Sequence, residues 1–123
     1  MTLSGIQLAA VLKAGMHVSN ADGNMDEKEI KILVNELARF NLTDEIRNTI
    51  IKVATEMPVE DMVNHLKQIN AEDQKYICGY LAAIILADGE VKDDEINVWK
   101  AICTLCEFPE MTAKEALDIW RNN

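Results

Sequence analysis

An all-α fold, a compact bundle of about seven helices built from two related helix-turn-helix units, is what this sequence predicts. Three observations lead there. Apolar residues recur at helical spacing along most of the chain, and period-two alternation with β-branched enrichment persists nowhere. The stretch from Asn20 to Ile30 repeats, 66 positions later, as the stretch from Leu86 to Ile96. In both, Ala-Asp-Gly is followed by an apolar residue two places after the Gly and by Glu-Ile six places after it. Finally, 123 residues with 49% apolar content suit one domain, residues 1–123, with a single real core.

Leu3 to Ala21 reads as the first helix, with Ile6, Ala9, Ala10, Leu12 and Met16 on a broad apolar stripe. Gly15 costs about 1 kcal/mol against Ala in mid-helix, which suggests a close helix crossing there. Gly23 supplies the left-handed residue that ends such a helix. Asp26 to Phe40 follows, with Asp26 as N-cap and Glu29 reaching back to it. Ile30, Leu33, Val34, Leu37 and Phe40 then form the core-facing stripe.

Thr43 caps a third helix whose stripe is Ile46, Ile50, Val53, Ala54 and Met57. Pro58 ends it and suits the first turn of a fourth, with Glu60 and Asp61 behind it and Met62, Val63, Leu66 and Ile69 facing inward. Asn70 is either the last residue of that helix or the cap of the next. Glu72 to Ala87 is hydrophobic all round, as expected of a central helix surrounded by the others, and Gly89 ends it. Asp93 to Glu107 is amphipathic through Ile96, Trp99, Ile102 and Leu105, and Phe108-Pro109 breaks it. Thr112 caps a last helix through Ala116, Leu117, Ile119 and Trp120.

The net charge of −9, from 12 basic and 21 acidic residues, excludes several partners. Nucleic acid needs a basic footprint that displaces counterions from phosphates, and an anionic membrane surface needs the same sign of charge. The longest apolar run, Tyr76 to Ala87, falls short of the roughly 20 residues of a membrane span, so no direct membrane insertion is expected. No basic segment precedes the first apolar residues, so no secretory signal is visible. Three cysteines do not make a disulfide scaffold, and a cytoplasmic location is expected.

The acidic turns admit two readings. Gly after a helix and carboxylates at the start of the next are ordinary helix punctuation, each carboxylate contributing roughly 0.3–1 kcal/mol through the helix dipole. Punctuation alone, however, does not require Ala-Asp-Gly twice. The sharper reading is a cation site. Four carboxylates stand against one Lys from Asp22 to Glu29, and five against one Lys from Asp88 to Glu95. If the two units pack about a pseudo-two-fold axis, Asp22, Glu29, Asp88 and Glu95 converge. Such hard oxygen donors suit Ca²⁺, Mg²⁺ or Mn²⁺ rather than Zn²⁺. EF-hands fail on register: with the Gly at loop position 6, position 1 falls on Val18 in the first copy and Ile84 in the second.

Two Ala-Asp-Gly-x-φ-x-x-x-Glu-Ile units, each joining an apolar helix to an amphipathic one, make the chain from about Leu3 to Trp120 resemble the TerB-like tellurite-resistance family. The resemblance implies a bundle of about seven helices in two related halves. It also implies a metal-chelating role for paired acidic residues, at Asp22, Glu29, Asp88 and Glu95 here. It further implies a part in bacterial stress responses, with protein partners that include membrane-linked complexes. The second unit departs from the first at Lys92, where the first has the capping Asp26.

Other chemistry finds little support. Cys103 and Cys106 form a C-x-x-C near the end of a helix, on one face with Trp99 and Ile102, and read as packed core thiols rather than a redox or zinc pair. Nearby carboxylates could raise the pKa of His17 or recruit it to a metal, although a partly exposed helix histidine is the plainer reading. His65 indicates nothing specific. No nucleophile-base pair or phosphate loop stands out, so the expectation is a non-enzymatic interaction or sensing module. The alternatives are an interaction domain without metal and a small metal-dependent enzyme.

Overall fold

The computed structural model describes residues 3–19, 32, 35, 37–38, 40–86 and 93–122. Six helices are defined among them: α1 (Gly5–Ser19), α2 (Asp44–Glu56), α3 (Val59–Lys67), α4 (Ala71–Ile85), α5 (Asp93–Leu105) and α6 (Ala113–Arg121). Ile32, Asn35, Leu37 and Ala38 are helical as well, in the interval where the sequence places its second helix. The fold is all-helical, as expected.

Local chemistry explains where the helices begin. Ser4 and Gln7 cap α1 reciprocally: the Ser4 hydroxyl accepts from the Gln7 backbone N–H at 3.2 Å, and the Gln7 side-chain Oε1 accepts from the Ser4 backbone N–H at 3.0 Å. Thr43 accepts from the Ile46 N–H at 3.2 Å, and Asn70 accepts from the Asp73 N–H at 2.9 Å, so Asn70 is a cap. Thr112 and Glu115 make a complete capping box on α6. Pro58 stands one residue before α3 in extended conformation, at the cap rather than in the first turn.

Two helix ends use a left-handed residue that is not glycine. Asn41 has φ 50° and Glu107 has φ 56°. After α5 the Phe108 N–H donates to the Cys103 carbonyl at 2.9 Å and the Glu107 N–H to that of Thr104 at 3.1 Å. These two bonds close a Schellman turn, and they fold the buried Phe108 back under the helix.

The two left-handed residues lie 66 positions apart, as do the caps Ser4 and Asn70 and the bounds of α1 and α4. The internal repeat is therefore longer than the acidic motif that betrays it. It runs from cap to left-handed terminus in each half, and α1 and α4 pack directly against each other.

The core is shared between these two helices. Eleven of the 15 residues of α4 are buried, and nine of the 15 of α1. α1 packs against α2, α3, α4 and α5, whereas α4 packs against α1, α5 and, most extensively, α6. The expectation that 72–87 alone forms the centre thus needs α1 beside it. Gly15 is buried in α1, and a close helix crossing lies at Gly79. A Cβ placed there would collide with the Ala116 carbonyl oxygen and the Trp120 Cβ. Gln74, buried on α4, donates from Nε2 to the Leu66 carbonyl at 3.2 Å and so ties α4 to the end of α3.

Candidate functional site

Of the four carboxylates singled out by the repeat, Glu95 is described, while Asp22, Glu29 and Asp88 lie outside the described residues. Glu95 occupies the first turn of α5, directly after the second acidic turn. It is 1% exposed, whereas its neighbours Asp93 and Asp94 are exposed. A carboxylate serving only the helix dipole gains nothing from such burial, because desolvating a charge costs several kcal/mol unless other groups engage it. Glu95 does interact within the fold. Its placement distinguishes it from an ordinary solvated first-turn acid.

The rejected EF-hand register can be checked directly. Val18 and Ile84, at loop position 1, are both fully buried helical residues of α1 and α4. A loop ligand has no place there. Among the described residues, no group of three or more His, Cys, Asp and Glu side chains is arranged to hold a metal ion. No helix of the described residues is long and apolar enough to cross a membrane.

His17 is half-buried on α1, and its pKa is lowered from the ordinary value by burial first and by the positive charge of Lys13 second. The partly exposed helix histidine that the sequence favoured is what the structure has, and the pKa shift runs opposite to the carboxylate-raised alternative.

A second feature lies further along α5, where it meets α4. Trp99 of α5 is buried and donates its indole N–H to the Cys78 carbonyl at 3.1 Å. One turn on, the Cys103 sulfur sits 3.7 Å from that of Cys78. The C-x-x-C motif of the sequence is thus not the pair that touches. Cys103 faces a thiol on another helix, and Cys106 is buried. Periodicity within one helix cannot show this. The available signal was that Cys78 and Cys103 stand at similar distances from the turn joining α4 and α5. The Cys103 pKa is raised, first by the hydrogen bond with Cys78 and then by burial. That of Cys106 is pushed up to about 11, mainly by burial, with Lys67 opposing. Both are therefore thiols, not thiolates, at neutral pH. The pair opens on a cleft of about 780 Å³ walled by Ile96, Trp99 and Met111, with Lys100, Glu107 and Glu110 adding charge.

The profile of the family described as "Tellurite resistance protein TerB" matches residues 6–118. The chain belongs to the TerB family. A crystal structure of a protein of unknown function from Porphyromonas gingivalis W83 is similar throughout, with 31% identity and a TM-score of 0.84. The alignment covers 99% of this chain and 92% of that one. Among curated proteins, none matches the chain. The resemblance drawn from the duplicated acidic turn is therefore correct at the level of family and fold.

Proposed function

We propose that this TerB-family chain is a non-enzymatic interaction or sensing module of a bacterial stress response, of the tellurite-resistance type, that takes a divalent cation through its paired acidic turns. The observation that carries the reading is Glu95: a carboxylate adjoining the second acidic turn that is almost wholly buried rather than solvated. In the repeat its counterpart is Glu29, and Asp22 and Asp88 each stand seven residues upstream of the Glu of their own unit. Four hard oxygen donors of this kind match Ca²⁺, Mg²⁺ or Mn²⁺. The partners fitting a chain of net charge −9 are basic surfaces of other proteins, including those of membrane-linked complexes, in the cytoplasm.

Thermal unfolding with each of Ca²⁺, Mg²⁺, Mn²⁺ and Zn²⁺ tests it, on the wild type and on the Asp22→Asn/Asp88→Asn double variant. A cation bound only by the folded state stabilises by about 2.7 kcal/mol at one hundred times its Kd, so the wild-type midpoint climbs with concentration. The double variant should lose that rise. A wild-type midpoint indifferent to all these ions at millimolar concentration overturns the reading.

One observation favours an interaction domain without metal. Ile6 and Ile46 are 42% and 49% exposed and flank an apolar groove between the start of α1 and the outer face of α2. Both were expected on core-facing stripes.

A further inference from the structure

We propose that Cys78 and Cys103 are a thiol-disulfide site, forming a reversible disulfide that staples α4 to α5 when a low-molecular-weight disulfide enters the adjoining cleft. The two sulfurs are already in contact at 3.7 Å, on different helices, and both cysteines are free. A disulfide holds its sulfurs about 2.05 Å apart, so closing the bond requires the two side chains to turn toward each other over the remaining distance. Cys103 is half-buried on the cleft wall and Cys78 is fully buried behind it, which orders the chemistry. Cys103 is the attacking sulfur and Cys78 the resolving one.

The reaction balances without any further reactant. Cys103, losing its proton, attacks one sulfur of the small disulfide, whose S–S bond breaks as the first small thiolate leaves. The mixed disulfide on Cys103 is then attacked by the Cys78 sulfur, which also loses its proton, and the second small thiolate leaves. The two protons end on the two released thiols, and two electrons pass from the protein to the oxidant. The hydrogen bond with Cys78 and burial keep the Cys103 thiol protonated, so the first step is slow at neutral pH and quickens as the pH rises. The second step is intramolecular between sulfurs already in contact, which favours ring closure over a lasting adduct. The bond closes a loop that contains the whole second acidic turn, and it stands independently of whether that turn holds a cation.

The full-length protein is incubated with glutathione disulfide at pH 8.5, unfolded, alkylated and mapped by mass spectrometry. The expected product is a monomer lighter by about 2 Da, with a peptide link between Cys78 and Cys103 and one alkylatable thiol of the original three. Dithiothreitol should restore all three, and the linked form should melt about 5–10 °C higher. Cys106→Ala should keep the link, and Cys78→Ala should stop at a glutathione adduct on Cys103. Should either variant fail to fold, the wild-type peptide map decides alone. A wild-type map showing a Cys103–Cys106 link, a persistent glutathione adduct, a disulfide-linked dimer or three free thiols overturns the proposal.

Discussion

Gly79 on α4 lies directly beneath the backbone of Ala116 on α6, so closely that a methyl group at position 79 would overlap the Ala116 carbonyl oxygen. The Ala116 carbonyl carbon would be only 3.1 Å away. The obstacle is backbone rather than the tip of a flexible side chain, so relief requires the two helices to part. Among the described helices α4 and α6 form the most extensive contact, and the separation would spread along it. Gly79→Ala should therefore destabilise by about 2–3 kcal/mol despite the better helix propensity of Ala. Urea unfolding should show a lower midpoint with an unchanged slope.

Glu107 presents the opposite case. Its φ of 56° is one that an L side chain adopts at a cost, and its ion pair with Lys67 is exposed at 3.8 Å and contributes little. Glu107→Gly should raise stability by about 0.5–1 kcal/mol, the relief of the left-handed strain less the greater freedom of Gly in the unfolded chain. The same urea measurement reads it, with the shift reversed in sign from that of Gly79→Ala.

Trp99 joins α5 to α4 through a buried hydrogen bond as well as through its ring. Trp99→Phe keeps most of the apolar contact and removes the donor, which should cost about 1–2 kcal/mol. Trp120 remains as the fluorescent probe of unfolding in that variant.

The histidine on α1 makes stability depend on pH. His17 has a folded-state pKa below its unfolded value, so the unfolded chain binds the extra proton first as the pH falls. The contribution of neutral His17 is full above the unfolded pKa of about 6.5. It declines as the pH drops through that value and levels off below the lowered folded pKa. His17→Gln should flatten the stability profile across that window while leaving the alkaline side unchanged, as seen in chemical denaturation at a series of pH values.

The helices themselves were legible because burial, capping and periodicity are local. Thr43, Asn70 and Thr112 cap where the sequence places them, and Leu37, Ile50, Met62, Leu66 and Leu117 reach the core as their spacing predicts. The Ser4-x-x-Gln7 cap was equally present in the sequence but hidden by the apolar residues around it. Ile46 and Leu105 fit their stripes by spacing and are nonetheless 49% and 57% exposed, because a stripe is wider than the neighbour that covers it. Contacts between helices were beyond a one-dimensional pattern. Hence Gly79 was not singled out as a crossing point, and Cys106 was paired with Cys103 before Cys78. The repeat identified Glu95 as a candidate, but its burial depends on how α5 docks.

The direct packing of α1 on α4 has a consequence for how such a chain could have arisen. Each of these helices sits at the same place in its own half, and each covers apolar surface of the other. A chain holding one unit alone would leave that surface open to water, unless a second copy of itself lay against it. Fusion of two such copies in tandem turns a self-associating half-length ancestor into a chain that is its own partner. Once joined, the halves are free to differ, as they do where Lys13, Leu12 and Leu37 stand at the positions corresponding to Gly79, Cys78 and Cys103.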